Sequence, residues 1–154
     1  MTCNRELVAE IFERATFIRD LGIVVSGCDS GSCDTELQMR PPLQQQHGFL
    51  HAAVITAMAD HTAGAAGATL MQGGQDVITV EFKISFLRPA VGPLFACHAR
   101  VLRAGKDLIF TEADVVGRAD RESTAKLLAK FCGTLKIIPH NSATKPVDHE
   151  KHIT

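Results

Sequence analysis

The sequence contains no tryptophan and no tyrosine, so it lacks two of the side chains on which single-stranded nucleic acids stack. Its 16 Lys and Arg residues are balanced by 17 Asp and Glu residues. This balance leaves no overall positive charge to attract nucleic acid or an anionic membrane surface. We therefore predict that the protein has neither a nucleic-acid partner nor a membrane partner.

Motifs for metal binding and for serine nucleophiles are also missing. The five cysteines form no C-x-x-C pair, and there is no H-E-x-x-H or G-x-S-x-G run. We therefore expect no metal and no cofactor. The first twenty residues show no apolar core followed by a small-residue cleavage site, so reduced thiols in a cytoplasmic protein are the simplest expectation.

One segment, residues 50–71, is apolar over a length that could cross a bilayer. Asp60 lies near its middle, where a carboxylate costs roughly 2.5 to 3.5 kcal/mol on insertion scales. His51 and His61 lie in the same segment. We therefore interpret the segment as a helix buried in protein, and its many alanines and glycines suit close packing against a sheet.

The chain length of 154 residues is enough for one well-buried domain and too short for two. We predict this domain over residues 1–139, followed by a mobile polar tail over residues 140–154, which has little apolar content. Apolar residues at three- and four-residue spacing predict an amphipathic leading helix over residues 4–19.

Strands are predicted wherever apolar and polar residues alternate, because successive side chains of a strand point to opposite faces. The clearest case is residues 78–86, in which Ile78, Val80 and Phe82 alternate with polar residues such as Thr79. The four strands that follow the buried helix are predicted to form a meander of sequential neighbours. The six predicted strands are residues 23–26, 35–39, 78–86, 95–101, 109–116 and 125–137.

An antiparallel sheet with one apolar face needs a cover, and the helix at residues 50–71 is the only candidate. The element order therefore predicts an α+β protein with the hotdog fold. In this fold a curled antiparallel sheet wraps around a central helix, here with an extra N-terminal helix. Fold alone does not determine function.

Asp60 is the residue that most needs an explanation, because burying a carboxylate in an apolar helix is costly unless it has partners or its pKa rises. The start of the same helix exposes backbone N–H groups that could stabilise the oxygen of a thioester carbonyl. His51 and Asp60 are nine positions apart, or roughly 13 Å along a helix axis. If both act on one carbonyl, they belong to different chains, so we predict a homodimer or homotetramer with shared sites.

The run QQHGFLHAAVITAMADHTAG, followed by TVEFKISFLRPAVG and a Gly-Lys hairpin, resembles the phenylacetate-pathway (PaaI-type) branch of the 4-hydroxybenzoyl-CoA thioesterase-like superfamily. The resemblance covers residues 43–137. It implies that Asp60 is the nucleophile or general base and that the Ala52 N–H is an oxyanion donor, where the family usually has glycine. It also implies a loop amide from Gln45, or from Gln46 as second choice, and a hydroxyl from Thr79, with His51 holding the loop.

The resemblance further implies an aryl- or medium-chain acyl-CoA substrate, and coenzyme A carries phosphates that need a basic site. Residues 83–136 contain ten Lys and Arg against five Asp and Glu, which fits this demand. The predicted substrate- and CoA-binding residues are Gln46, Gly48, Lys83, Arg88, Arg103, Gly105 and Lys106.

Two alternatives to a thioesterase stay open at this point. A hotdog dehydratase typically carries an Asp-x-Asn-Pro-x-His run, which this sequence lacks. Some hotdog proteins bind acyl-CoA as sensors and have lost the catalytic carboxylate, whereas Asp60 is present here. His61 diverges from Asp60 by about 100° on a helix, so we predict a structural role for it.

Overall fold

The computed structural model describes residues 5–120 and 122–140. Six strands form one antiparallel sheet, and a central helix packs against five of them. This arrangement is the hotdog fold that the element order predicted. The elements are α1 (Arg5–Arg14), α2 (Thr16–Leu21), β1 (Val24–Asp29), β2 (Ser32–Gln38), a 3₁₀ helix (Pro41–Leu43), α3 (Ala52–Ala68), β3 (Gln75–Phe86), β4 (Leu94–Ala104), β5 (Leu108–Arg118) and β6 (Lys126–Pro139).

The leading helix is broken, which corrects the prediction of one continuous helix over residues 4–19. Ala15 leaves the helical conformation between α1 and α2, with φ −81° and ψ 80°. The break lets Val8 and Phe12 of α1 and Ile18 of α2 all reach the core. No Gly or Pro marks this position, so packing decided it. Gly22, in the left-handed conformation with φ 82°, ends α2.

The sheet order is β1-β2-β4-β5-β6-β3, which corrects the predicted four-strand meander. Strands β4, β5 and β6 are sequential neighbours as predicted, but β3 pairs with β6 and lies at the sheet edge. The connection over residues 87–93 therefore passes across β6 and β5 before β4 begins. Alternation cannot show this, because it reports the period of a strand and not its neighbours.

The exposed side of β3 also differs from the prediction. Ile78 and Val80 are 54% and 58% exposed, although alternation predicted that they would face the core. Thr79, on the opposite face, points to α3 instead. The pairing with β6 shifts between Thr79 and Glu81, and this β-bulge exchanges the faces, so Ile84 after it packs against the core.

The central helix is shorter than the predicted segment of residues 50–71, and it packs closely against the sheet. A Cβ atom at Gly67 would lie 2.6 Å from Leu135 Cδ1, so glycine lets α3 approach β6 without displacing the Leu135 side chain. Thr62 of α3 and Thr35 of β2 share a buried hydrogen bond of 2.8 Å. This bond satisfies both hydroxyls within the core.

The cysteines do not all have the expected state. Cys28 is disulfide-bonded, so the expectation of reduced thiols is wrong for this residue. Cys33, Cys97 and Cys132 are free thiols, and burial raises the pKa of the Cys33 and Cys97 thiols to about 12. Both therefore stay protonated and pack as small apolar side chains.

None of the helices within residues 5–120 and 122–140 is long and apolar enough to cross a membrane. His140, predicted to begin the mobile tail, is held by its N–H, which donates to the Gly74 carbonyl at 2.8 Å. The rest of the predicted tail, residues 141–154, lies outside the described residues.

Candidate active site

Asp60 lies on α3 beside Thr79 of β3, where the helix packs against the sheet. The Thr79 hydroxyl donates a hydrogen bond of 2.9 Å to Asp60 Oδ1. Thr79 reaches the carboxylate because it lies just before the β3 bulge, on the side that faces α3. The structure thus brings together two of the residues that the sequence predicted for catalysis.

Burial raises the pKa of the Asp60 carboxyl above its ordinary value, and the Thr79 hydrogen bond opposes this effect by lowering it. Burial is the larger cause. The carboxylate is half-buried, so it can be reached by a ligand while keeping little of its hydration. These conditions increase the basicity of a carboxylate, as an acid–base or nucleophilic group requires.

A cavity of about 660 Å³ opens beside Asp60 and Thr79. Its size is within the range of small-molecule sites in proteins. Helix α1 forms one wall through Leu7 and Ile11, and the second half of α3 forms another. The rim is polar and includes Asp76, whose Oδ2 lies 3.6 Å from His140 Nδ1.

The start of α3 presents a backbone donor to solvent. His51 caps the helix, because its Nδ1 accepts a 3.0 Å hydrogen bond from the Ala53 N–H. The Val54 and Ile55 N–H groups both bond to the His51 carbonyl. The Ala52 N–H, by contrast, donates to no acceptor among the described residues, and Ala52 is exposed.

The loop before α3 is closed by a bridge between Gln44 and Leu50. Within it the Gln45 Oε1 accepts a hydrogen bond from the His47 N–H, so this side-chain oxygen stabilises the loop itself. Gln46 is exposed, and Gly48 has φ +80°, a conformation that favours glycine. The Leu50 N–H donates to the Ala90 carbonyl at 3.0 Å, which ties the loop to the β3–β4 connection.

The structure does not bring Ala52 and Asp60 together within one chain. They are eight residues apart on α3, which corresponds to about 12 Å along the axis. This separation exceeds what a single carbonyl group can bridge. The two predicted halves of the site, helix start and carboxylate, therefore stay apart in the monomer.

The predicted CoA-binding residues also divide between two places. Arg103, Gly105 and Lys106 lie at the β4–β5 hairpin, where the Gly105 N–H donates to the Leu108 carbonyl. Arg88 lies at the opposite end of the sheet and donates to the Leu127 carbonyl at 2.8 Å. Six residues of β5 separate the two levels, or about 20 Å.

Lys83 is exposed on β3, with Cys132 of β6 as its cross-strand neighbour. It lies after the bulge, so it is on the face of the sheet that points away from α3. The predicted basic residues therefore form no single cluster in one chain. Within one copy of the chain, a given phosphate group can therefore contact Arg88 or the hairpin residues Arg103 and Lys106, but not both.

Two features of the cavity were not predicted. The α1 side chains that wall it were interpreted only as an amphipathic helix, and their three-and-four spacing could not show what they face. His61 also lines the cavity, packed edge-on against Phe12 with ring centroids 4.5 Å apart. Burial lowers the pKa of the His61 imidazole, so it is neutral near pH 7. Its predicted structural role remains a prediction.

No group of three or more His, Cys, Asp and Glu side chains within the described ranges is arranged to hold a metal ion. The chemistry of the cavity rests on a carboxylate, a hydroxyl and the backbone of a helix start. The fold and this donor set define the class of protein as a hotdog protein with a helix carboxylate beside a cavity.

Comparison with known proteins assigns the chain to a family. Residues 47–124 match the Thioesterase superfamily. A Saccharolobus solfataricus protein, named as an esterase by inference, is 30% identical over 85% of this chain and 90% of its own length. The chain therefore belongs to the Thioesterase superfamily.

Solved structures agree with this assignment. A thioesterase family protein from Silicibacter pomeroyi is 32% identical, with a TM-score of 0.82 over 86% of this chain and 96% of that one. The E. coli PaaI protein from the phenylacetic acid degradation operon has a TM-score of 0.77 over 86% of this chain and 91% of that one. At 20% identity, the second similarity concerns the fold alone.

Proposed function

We propose that the protein is an acyl-CoA thioesterase of the PaaI-type branch, with Asp60 as its central catalytic group. The observation that carries the proposal is the half-buried Asp60 carboxylate, held by Thr79 beside a cavity of about 660 Å³. Membership of the Thioesterase superfamily supplies the reaction class.

The reaction needs a group that attacks the thioester carbon or activates water to do so. Asp60 serves as general base when it takes a proton from water as the hydroxide oxygen bonds to the carbonyl carbon. The tetrahedral intermediate then expels the CoA thiolate, which takes up the proton held by Asp60, so the products are a free acid and CoA and the carboxylate is regenerated. A direct attack by the carboxylate gives the same products through an anhydride that water cleaves.

The carbonyl oxygen gains negative charge as the tetrahedral intermediate forms, so it needs a donor. The free Ala52 N–H at the start of α3 supplies one, and the helix dipole adds to its effect. Since Ala52 lies about 12 Å from Asp60 along its own helix, we infer that the donor comes from a second copy of the chain. The active unit is then a homodimer, or a dimer of dimers.

The edge strand β3 is the surface through which two copies can associate. Its outer edge has no strand partner among the described residues, and Ile78 and Val80 are more than half exposed. An apolar, unpaired edge strand is a template for pairing with another chain. Pairing there also brings the second copy close to Thr79, and therefore to Asp60.

Coenzyme A carries phosphates, and this chain has basic residues that could bind them at both ends of the sheet. Arg88 follows β3 near the start of α3, whereas Arg103 and Lys106 lie at the hairpin on the Asp60 side of the sheet. We infer that a shared site takes its charges from both copies. The proposed reaction uses no metal and no cofactor. A cytoplasmic location stays an expectation from the sequence alone, and the disulfide of Cys28 does not support it.

The test is thiol release from a panel of aryl- and fatty-acyl-CoA esters, followed with a disulfide dye. We expect the wild type to release thiol and Asp60→Asn to be slower by about 10² or more, since removal of the catalytic base affects every ester. Asp76→Asn is the matched control, because Asp76 is a carboxylate at the rim of the same cavity. It should keep activity within about threefold.

Two outcomes would contradict the proposal. Equal activity of Asp60→Asn and wild type would remove Asp60 from the mechanism. Absence of turnover on every ester, with tight acyl-CoA binding in calorimetry, would instead indicate a non-catalytic sensor.

A further inference from the structure

The cavity beside Asp60 has a continuous apolar part whose lining comes mainly from two helices. Leu7 and Ile11 of α1 and Gly64, Ala65 and Ala68 of α3 belong to it, together with Met71 and Val77. The remaining lining is polar and includes Glu10, Arg14 and His61. A ligand group that follows the apolar part contacts aliphatic carbon.

Gly64 is the glycine of α3 that lines the cavity with open space in front of it. A Cβ atom built at Gly64 would meet no heavy atom within 4 Å. Gly67, three residues later, shows the opposite case, because a Cβ there would lie 2.6 Å from Leu135. Packing therefore explains the glycine at 67 and does not explain the glycine at 64, which weakens the helix relative to alanine.

The position of Gly64 relates the space to the reactive carboxylate. It follows Asp60 by one helical turn, so the two residues lie on the same face of α3, about 6 Å apart along the axis. Ala68 continues this face by a further turn, to about 12 Å from Asp60. The lining residues Gly64 and Ala68 thus follow the carboxylate along one face of the helix.

The lining also discriminates between kinds of acyl group. None of the described residues that line the cavity is a phenylalanine, and the chain has no tryptophan or tyrosine. The imidazoles of His61 and His140 are the only rings among these lining residues, so an aryl group would find no benzene or indole ring to stack on. Alanine, leucine, isoleucine and methionine side chains suit a flexible aliphatic chain instead.

We propose that the cavity between α1 and α3 holds an aliphatic acyl chain of medium length, and that Gly64 sets the room available to it. This inference rests on the proposed thioesterase function and specifies its substrate class. The thioester carbon lies at Asp60, and the chain runs past Gly64 toward Ala68, under Leu7 and Ile11. An aryl acyl group is then a poorer substrate than an octanoyl group.

The experiment compares wild type with the series Gly64→Ala, Gly64→Val and Gly64→Leu on acetyl-, butyryl-, octanoyl-, decanoyl- and phenylacetyl-CoA. We expect the wild type to prefer octanoyl-CoA over phenylacetyl-CoA. In Gly64→Leu, kcat/KM for octanoyl-CoA should fall by about tenfold or more, while that for acetyl-CoA stays within about twofold. The kcat/KM of Gly64→Ala for octanoyl-CoA should lie between those of wild type and Gly64→Leu. Its Tm should be unchanged or higher, because no atom lies near its new methyl group.

A reciprocal variant tests the opposite wall. Ile11→Ala enlarges the cavity, so the optimum should move toward decanoyl-CoA, whereas Glu6→Ala, an exposed position on the same helix outside the cavity lining, should leave the chain-length profile unchanged. Acetyl-CoA is the internal control in every variant, since its acyl group is too short to reach Gly64.

The result that overturns the inference is a loss that is equal for acetyl- and octanoyl-CoA, since the cavity would then hold the pantetheine arm or serve folding only. A wild-type preference for phenylacetyl-CoA would also overturn it. If no ester is hydrolysed, the proposed thioesterase function is wrong, and the acyl-chain site is then tested by measuring acyl-CoA binding in calorimetry. Weaker octanoyl-CoA binding in Gly64→Leu, with acetyl-CoA binding unchanged, would support the cavity, and equal binding would overturn it.

Discussion

The start and the middle of the central helix offer different chemistry. At its start, His51 caps the helix and leaves the Ala52 N–H exposed with no acceptor among the described residues. At its middle, Asp60 lies half-buried beside a cavity, with a hydroxyl partner. The helix start can stabilise a developing negative charge, and Asp60 can take a proton. Within one chain these two groups are about 12 Å apart, which is why the proposed mechanism assigns them to different copies.

The largest expected effect comes from removing the donor at the helix start. Proline lacks an N–H but is well tolerated at the first helical position, and the extended conformation of His51, with φ −64° and ψ 137°, suits a residue before proline. We expect Ala52→Pro to lower kcat by about 10² to 10³, as the loss of one oxyanion donor does elsewhere. Ala52→Gly keeps the N–H and is the matched control, with activity close to wild type.

The same variant decides whether the two halves belong to different chains. Ala52→Pro and Asp60→Asn are each expected to be inactive, but a mixed dimer contains one intact site. Unfolding and refolding the two proteins together at equal amounts should restore about a quarter of wild-type activity, because half of the dimers are mixed. No recovery, with mixed dimers verified by mass spectrometry, would mean that both groups act within one chain.

The next effect concerns the surface that would join the two halves. Val80→Lys places a charge on the exposed apolar side of the edge strand, so it should prevent strand pairing between copies without disturbing the core. Light scattering should show a shift to monomer, together with a loss of activity of about 10² although Asp60 is intact. Phe17→Lys, at a 64% exposed position on α2, is the control and should remain oligomeric. A fully active monomeric Val80→Lys protein would exclude the shared site.

The smallest effect is a displacement of the pH profile by Thr79. In the proposed mechanism the Asp60 carboxylate is the reactive form, so kcat/KM should fall as pH falls through the pKa of this group. Thr79→Val removes the hydrogen bond that lowers the pKa, so the acid limb should move to higher pH and activity at slightly acidic pH should fall by about tenfold. Thr79→Ser keeps a hydroxyl and should keep the wild-type profile.

Stability should respond to pH in the opposite direction to activity. Burial raises the pKa of folded Asp60 above its value in the unfolded chain, so the folded state binds more protons over the range between the two values. The free energy of unfolding contributed by Asp60 is therefore greatest below this range and falls as pH rises through it. Urea unfolding of Asp60→Asn should lack this component, and an unchanged pH dependence would contradict the assignment.

The hydrophobic pattern of the sequence is informative about single elements. Alternation located β3, and the apolar run located α3, because both report which side chains a single element can bury. Alternation assigned Ile78 and Val80 to the core, however, and the structure exposes them at a sheet edge. A period of two marks two faces but does not say which of them has a neighbour. Alternating apolar residues are expected at an interface between copies as well as in a core.

The candidate site divides in the same way. Asp60 stood out in the sequence because a carboxylate in an apolar helix is costly, and the family resemblance named Thr79 and the start of the helix. The role of Gln45 was predicted as an amide aimed at the substrate, whereas its side-chain oxygen bonds to the His47 N–H of its own loop. The basic residues were counted together along the chain but lie at levels about 20 Å apart.

By itself, the sequence determined the element types, the central position of the helix that it placed at residues 50–71 and the presence of one unexplained carboxylate in it. These depend on periodicity and on the cost of burying charge, both of which are local. Only the tertiary structure decided that β3 leaves the meander for the sheet edge, that Thr79 faces Asp60, and that α1 walls a cavity reaching past Gly64. These depend on which distant elements pack together, and that choice is made by the whole core and not by any one segment.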